Sequence, residues 1–200
     1  MAPGFEQVRE EFEANFARRG EIGAAVAAYH RGEKVVDLWG GLSDPRRGEP
    51  WREDTLILVY STSKGLAAMT VALASSRGWL DYDERVATYW PEFGQNGKEQ
   101  ITVRQLLAHQ AGLPVIDVPL DAEKLADLDG VAEAIAAQRP AWEPGTRHGY
   151  HGLSLGWYEG ELIRRVDPQH RTLGRFIARG YLYKEIALEL GISVKRSRRT

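Results

Sequence analysis

The chain of 200 residues is 43% hydrophobic and 27% charged, with a net charge of −2; this excludes wholesale disorder and is enough for a domain with a buried core. Cysteine is absent, so disulfides and thiolate zinc sites are excluded, while the redox compartment stays open. The opening Met1-Ala-Pro-Gly-Phe-Glu-Gln-Val-Arg-Glu carries acids early, and no eighteen uncharged apolar residues follow one another. We therefore expect a cytoplasmic chain without a membrane span or secretory signal.

In residues 5–19, Phe5, Val8, Phe12 and Phe16 stand at helical spacing among charges, which predicts an amphipathic first helix ending near Gly20 and Gly23. Two short β-prone runs follow, Gly23-Ala-Ala-Val-Ala-Ala-Tyr29 and Lys34-Val-Val-Asp-Leu-Trp39, joined by His30-Arg-Gly-Glu. They read as a hairpin with Gly32 in the turn, and Gly40-Gly41 is expected to break the second strand. After a polar loop, residues 54–60 lead into an Ala-rich segment, 61–77, expected to be a helix closed by Gly78. That helix is apolar nearly all round, so burial on every side is expected. Further helices are predicted over residues 102–109, 120–138 and 155–166.

The net charge hides an asymmetry. Residues 171–200 hold eight Lys/Arg against two Glu, a balance of +6, so residues 1–170 carry −8. A boundary is accordingly expected near residues 171–176.

Ser61 opens the Ala-rich helix and Lys64 lies one turn later on the same face, which lets the amine reach the hydroxyl. A serine becomes a useful nucleophile only when a neighbouring group takes its proton. Burial would disfavour the charged lysine, and the helix N-terminus favours negative charge near Ser61. Taken alone, the same pair also reads as a helix-capping serine and a solvated lysine.

The context comes from segments in order: Val35-Val-Asp-Leu-Trp-Gly-Gly41, Trp51-Arg-Glu-Asp-Thr55, Ser61-Thr-Ser-Lys-Gly65, Tyr89-Trp-Pro-Glu-Phe93, Leu106-Leu-Ala-His-Gln-Ala-Gly-Leu-Pro114 and Trp142-Glu-Pro-Gly-Thr-Arg-His-Gly-Tyr-His151. Over residues 5–176 the chain resembles the β-lactamase-related serine hydrolases, which include the family VIII carboxylesterases, class C β-lactamases and penicillin-binding proteins. The resemblance implies an α+β, β-lactamase/transpeptidase-like fold, with an N-terminal hairpin of an antiparallel sheet and a mostly helical region. It also implies acyl-enzyme chemistry at Ser61, assisted by Lys64, with Tyr150 as base and then acid to the leaving group. A phenol can serve as a base near neutrality only where a cation such as Lys64 stabilises its anion. Where the family shows Y-x-N, this chain has Tyr150-His151-Gly152; the missing amide points to an esterase and away from an efficient β-lactamase.

The family's third element, K-T-G or H-x-G on a strand beside the nucleophile, does not follow Tyr150. The resemblance therefore implies a partial domain over residues 1–176 without its C-terminal strands. We expect weakened catalysis, since an oxyanion donor is worth about a hundredfold to a thousandfold in turnover, and a hairpin with an unpaired edge. Residues 177–200 instead resemble a helix-turn-helix, with Ala187 and Gly191 four apart and Ser193 before a basic stretch bearing Lys195, Arg196, Arg198 and Arg199. Read blandly, the same stretch is a solvated basic tail, because Ser197 stands where a packing residue belongs and no flanking helix completes a core.

Two other patterns have structural explanations. Gly152-Leu-Ser-Leu-Gly156 matches a nucleophile elbow, yet only Asp167 and His170 follow closely, so Ser154 reads as structural. His148 and His151 have no third ligand nearby and read as loop or cap residues, and His109 as a residue satisfying backbone groups behind the site. The expected ligand is thus a small ester or β-lactam-like molecule, with no metal, no organic cofactor, no membrane and no nucleic acid; oligomeric state is not legible. The competing readings are a catalytically silent fragment and a DNA-binding protein acting through the basic tail.

Overall fold

The computed structural model describes residues 1–178, so the basic segment with its helix-turn-helix resemblance lies outside the described residues, apart from its first two positions. The chain divides into two compact units, residues 1–58 and 59–200.

The first unit opens with helix α1, Glu6–Arg18. Phe12 and Phe16 lie one turn apart on it with their rings edge to face at 5.1 Å, as expected of an aromatic pair in an i,i+4 stripe. Strands β1, Gly23–His30, and β2, Glu33–Asp44, pair antiparallel with Val26 facing Leu38 and His30 facing Glu33. Arg31 and Gly32 form the turn, both at positive φ, 51° and 82°, the twist that a two-residue hairpin requires.

Gly40 and Gly41 do not end the strand, contrary to the expectation from sequence. β2 runs on to Asp44, where β3, Glu49–Pro50, pairs with it. Gly41 is there for close approach. A Cβ on Gly40 would make only ordinary contact with the Phe12 and Phe16 rings at 3.6 to 3.7 Å, whereas one on Gly41, at φ 79°, would meet the Ile22 carbonyl oxygen at 2.1 Å. That carbonyl accepts the Leu42 N–H at 2.7 Å, so the ladder passes through the glycines instead of stopping at them. Among the described residues β1 pairs with β2 alone.

The described part of the second unit is helical, with one isolated bridge between Arg85 and Thr102. A 3-10 turn, Tyr60–Thr62, leads into α2, Ser63–Ser76. There follow α3, Val86–Tyr89, a second 3-10 turn, Pro91–Phe93, and α4, Val103–Leu107. α4 begins with a capping box in which the Thr102 hydroxyl accepts the Gln105 N–H while the Gln105 side chain accepts the Thr102 N–H, satisfying two orphan donors of the first turn. α5, Ala122–Ala126, α6, Leu128–Ala137, α7, Leu155–Val166, and α8, Leu173–Ala178, complete the described part.

Two expectations are corrected here. The single helix expected over 120–138 is two, because Asp127 leaves helical geometry and turns its carboxylate onto the Asp129 and Gly130 N–H groups, starting a new helix as an N-cap does. The Ala-rich α2 is buried on one face only. Ala67, Thr70, Val71, Leu73 and Ala74 are inside, while Gly65, Ala68, Met69 and Ala72 are exposed. Alanine and glycine count as apolar in a sequence yet remove little surface from water, so they do not oblige a partner on every side.

The core of this unit forms around α7, where Tyr158, Leu162 and Ile163 pack with Trp90, Phe93, Leu106 and Ile135. Trp90 is tilted against both Phe93 and Tyr158, and Phe93 meets Tyr158 edge to face, with ring centroids 5.4 to 6.3 Å apart. Polar groups drawn into this core are mostly paired: Glu161 accepts from Arg164 and Arg165, and the ammonium of buried Lys98 donates to the Gln95 and Gln138 carbonyls. No helix among the described residues is long and apolar enough to cross a membrane.

Candidate active site

The turn at Tyr60–Thr62 sets the first half of the site. Tyr60 sits in the left-handed region, φ 42°, a conformation that strains a non-glycine residue. The turn is held by the Thr62 N–H on the Val59 carbonyl at 3.0 Å. Ser61 follows directly, so it stands in the 3-10 turn just before α2. Lys64 lies in the first turn of α2, and its Nζ donates to Ser61 Oγ at 3.2 Å, as the three-residue spacing predicts.

The second half arrives from the segment before α7. The Tyr150 hydroxyl lies 2.8 Å from Ser61 Oγ, donating to it. Lys64 Nζ also donates to the Gly152 carbonyl at 2.5 Å and lies 5.1 Å from the centre of the Tyr150 ring. One ammonium thus touches the serine, the backbone two residues past the tyrosine, and the face of the phenol. The three residues singled out in the sequence meet at one place.

Electrostatics follow from this contact. The hydrogen bond with Ser61, then the hydrogen bond and charge of Lys64, hold the Tyr150 phenol below its ordinary value, because each favours the anion. Lys64 itself is half-buried on a helix with an open face, so the fully apolar setting expected for it from the sequence is not what α2 provides. What the fold gives the lysine instead is direct contact with Ser61, the Gly152 carbonyl and the Tyr150 ring.

Tyr150 is carried by a tightly stitched segment. The Gly149 N–H donates to the His109 carbonyl at 3.1 Å, and the His151 N–H to His109 Nδ1 at 3.0 Å. His151 is wholly buried; its Nδ1 lies 3.2 Å from His109 Nδ1, and its Nε2 accepts the Leu113 N–H at 2.7 Å. Ser154, also buried, donates its hydroxyl to the Leu113 carbonyl at 2.6 Å, which commits its proton to the backbone. His109 takes a left-handed backbone, φ 59°, at the end of α4. The Gly152 carbonyl and the contact between the two imidazoles are the parts that sequence reasoning misses. Their only sequence trace is the polar His109 inside an otherwise apolar Leu106-Leu-Ala-His-Gln-Ala-Gly-Leu113 run.

An apolar cavity of about 600 Å³ opens beside Tyr150, walled by Val115, Ile116, Leu120, Leu125, Leu153 and Trp157. Among the described residues no cluster of three metal-ligating side chains occurs.

The profile of the family described as Beta-lactamase matches residues 8–182. Esterase/beta-lactamase LipL of Mycobacterium tuberculosis is 38% identical over 171 residues, which cover 86% of this chain and 39% of that protein. The crystal structure of a family VIII carboxylesterase aligns with a TM-score of 0.84 at 47% identity, covering 88% of this chain and 48% of the other. A penicillin-binding-protein homologue from Caulobacter crescentus aligns with a TM-score of 0.83 at 41% identity, covering 98% and 53%. The chain thus spans about half of these structures or less of the curated relative. The fold is the β-lactamase/transpeptidase-like one that the ordered motifs imply, and the chain belongs to the beta-lactamase family.

Proposed function

We propose that this chain carries the acylating centre of a serine hydrolase for carboxylic esters, with Ser61 as nucleophile, Tyr150 as the group that exchanges its proton and Lys64 as the cation that supports both. The observation behind this reading is that one oxygen, Ser61 Oγ, has the Tyr150 hydroxyl at 2.8 Å and Lys64 Nζ at 3.2 Å, within the reach that proton transfer needs. The Tyr150 phenolate, supported by Lys64, takes the Ser61 proton as Oγ bonds to the ester carbonyl carbon. The tetrahedral adduct then collapses; its C–O bond to the alcohol breaks, and the Tyr150 hydroxyl returns the proton to the departing oxygen. Water attacks the acyl-serine in the reverse sense, giving its proton to Tyr150, and the carboxylic acid leaves as Ser61 recovers a proton.

Two features favour esters over β-lactams. Gly152 stands where a side-chain amide would meet a lactam substrate, and the cavity beside Tyr150 is walled by apolar side chains, which suits an uncharged acyl or alcohol group. LipL, described as an esterase/beta-lactamase, is consistent with chemistry of this kind on a related chain.

The test is intact-mass spectrometry after incubation with a fluorophosphonate and, separately, with p-nitrophenyl butyrate. One adduct per chain, lost in Ser61→Ala, is expected. A folded wild-type chain that forms no adduct overturns the assignment.

A further inference from the structure

We infer that His109 and His151 form a neutral imidazole pair of fixed tautomers that positions Tyr150 for proton exchange with Ser61, so that acylation fails when either ring is protonated. This rests on the proposed role of Tyr150. The tautomers follow from the contacts. His151 Nε2 accepts the Leu113 N–H at 2.7 Å, so that nitrogen carries no proton, and the single proton of a neutral ring must be on Nδ1. His151 Nδ1 faces His109 Nδ1 at 3.2 Å. His109 Nδ1 also accepts the His151 backbone N–H at 3.0 Å, so it is the bare nitrogen, and the His109 proton is on Nε2. The two rings are within 18° of parallel with centroids 5.3 Å apart, a separation compatible with an N–H···N bond running close to both ring planes.

The pair grips Tyr150 from both sides in sequence. Gly149 donates to the His109 carbonyl and His151 to the His109 ring, so the residue before the tyrosine and the residue after it are fixed to the same histidine. The Tyr150 ring lies 5.0 Å from the His109 ring. Tyr150 is itself well exposed, so its position at Ser61 depends on its backbone more than on packing of its ring.

A further proton breaks the arrangement on either ring. On His151 it would set Nε2–H against the Leu113 N–H; on His109 it would set Nδ1–H against both the His151 amide and the His151 ring. The surroundings oppose that proton. Burial, then the charge of Lys64 and that of His148, lower His109, while burial, then His109 and His148, push His151 down to about 4 despite a backbone hydrogen bond that raises it. The neighbouring Trp142 ring, 6.2 Å from His151, adds no charge.

The test combines nitrogen NMR of the full chain labelled with 15N-histidine and the rate of fluorophosphonate labelling of Ser61. Near neutral pH we expect His151 protonated at Nδ1 and His109 at Nε2, with both rings neutral. As the pH falls and the spectra report protonation of the pair, the labelling rate should fall more steeply than the one-proton dependence expected of Tyr150 alone. His109→Ala should label about tenfold to a hundredfold more slowly, up to the loss that a misplacement of about 1 Å can cause. His109→Asn should recover most of it, because Oδ1 replaces Nδ1 as acceptor and asparagine tolerates the left-handed backbone. Both rings protonated at Nε2, an ordinary imidazole titration, or a folded His109→Ala that labels at the wild-type rate would each overturn the inference. The spectra need no activity, so a wild-type chain that is never labelled would refute the Ser61 assignment, and the tautomers would still decide the pair.

Discussion

The Tyr150 hydroxyl and Ser61 Oγ are 2.8 Å apart across a sequence separation of 89 residues. Nothing local holds them together; the contact exists because α2 and α7 pack side by side, with Ser61 just before the first and Tyr150 just before the second. A proton shared between two hydroxyls at this distance can reside on either oxygen, and the nearby ammonium decides how often the phenol gives its proton up.

Removing the phenol oxygen should therefore affect chemistry more than folding. Tyr150→Phe is expected to slow fluorophosphonate labelling of Ser61 by about a hundredfold or more, the usual weight of a general base. The exposed ring makes little contribution to the core, so its thermal unfolding midpoint should stay within a few degrees of wild type. Equal labelling by the variant would remove Tyr150 from the reaction.

The pH dependence carries a definite sign. Ser61 and Lys64 hold the Tyr150 phenol below its ordinary value, and a base works only when deprotonated. Labelling should rise with pH along a limb centred below that of a free tyrosine, and in Lys64→Met, which lacks the cation, the limb should move to higher pH. Rate profiles of the two proteins that overlay would show that Lys64 does not act on the phenol.

Glu159 on α7 is buried, and its Oε2 has no hydrogen-bond partner among the described residues. Burial pushes its carboxyl up from 4.5 to about 7, against the pull of Lys64. Between those values the folded chain keeps a proton that the unfolded chain has lost, so stability falls as pH rises from about 4.5 to about 7, by about 3 kcal/mol in all. Glu159→Gln should lack this slope and be the more stable protein at pH 8. Urea unfolding at pH 5 and pH 8 checks it, and equal pH slopes in the two proteins would count against a buried, neutral Glu159.

Gly149 offers a steric test of the same site. A Cβ there would come within 2.3 Å of the Trp142 ring, and an indole packed in place cannot swing clear as a flexible chain end can. Gly149→Ala should destabilise the fold by about 1 to 3 kcal/mol, the usual cost of overpacking, and slow labelling by displacing Tyr150. Denaturation followed by labelling of the folded fraction separates the two effects; a variant matching wild type in both would show that the segment yields freely.

What the sequence determines by itself here is whatever repeats over a few residues. The 3.6-residue spacing of Phe5, Val8, Phe12 and Phe16 marks α1, residues 155–166 are α7 as expected, and Gly32 places the hairpin turn, because helix and hairpin periods are imposed by local backbone geometry. The reach of Lys64 to Ser61 is legible for the same reason, being one helical turn. Reading by composition is weaker. Gly40-Gly41 looks like a break, yet the strand runs through it and Gly41 is a site of close approach; Asp127 interrupts a run that looks continuous, and α2 looks buried all round and is half exposed. For Gly41 and α2 the deciding neighbour, the Ile22 carbonyl or the packing of α7, is identified only by the folded arrangement, whereas Asp127 caps amides two and three residues away, a local signal that apolar composition passes over. Tertiary structure alone decided that Tyr150 meets Ser61, that the Gly152 carbonyl takes the Lys64 ammonium, and that His109 and His151 lie ring to ring behind the tyrosine. These are contacts between segments 42 to 89 residues apart, which chain periodicity does not encode and only the packing of helices around a shared core can set.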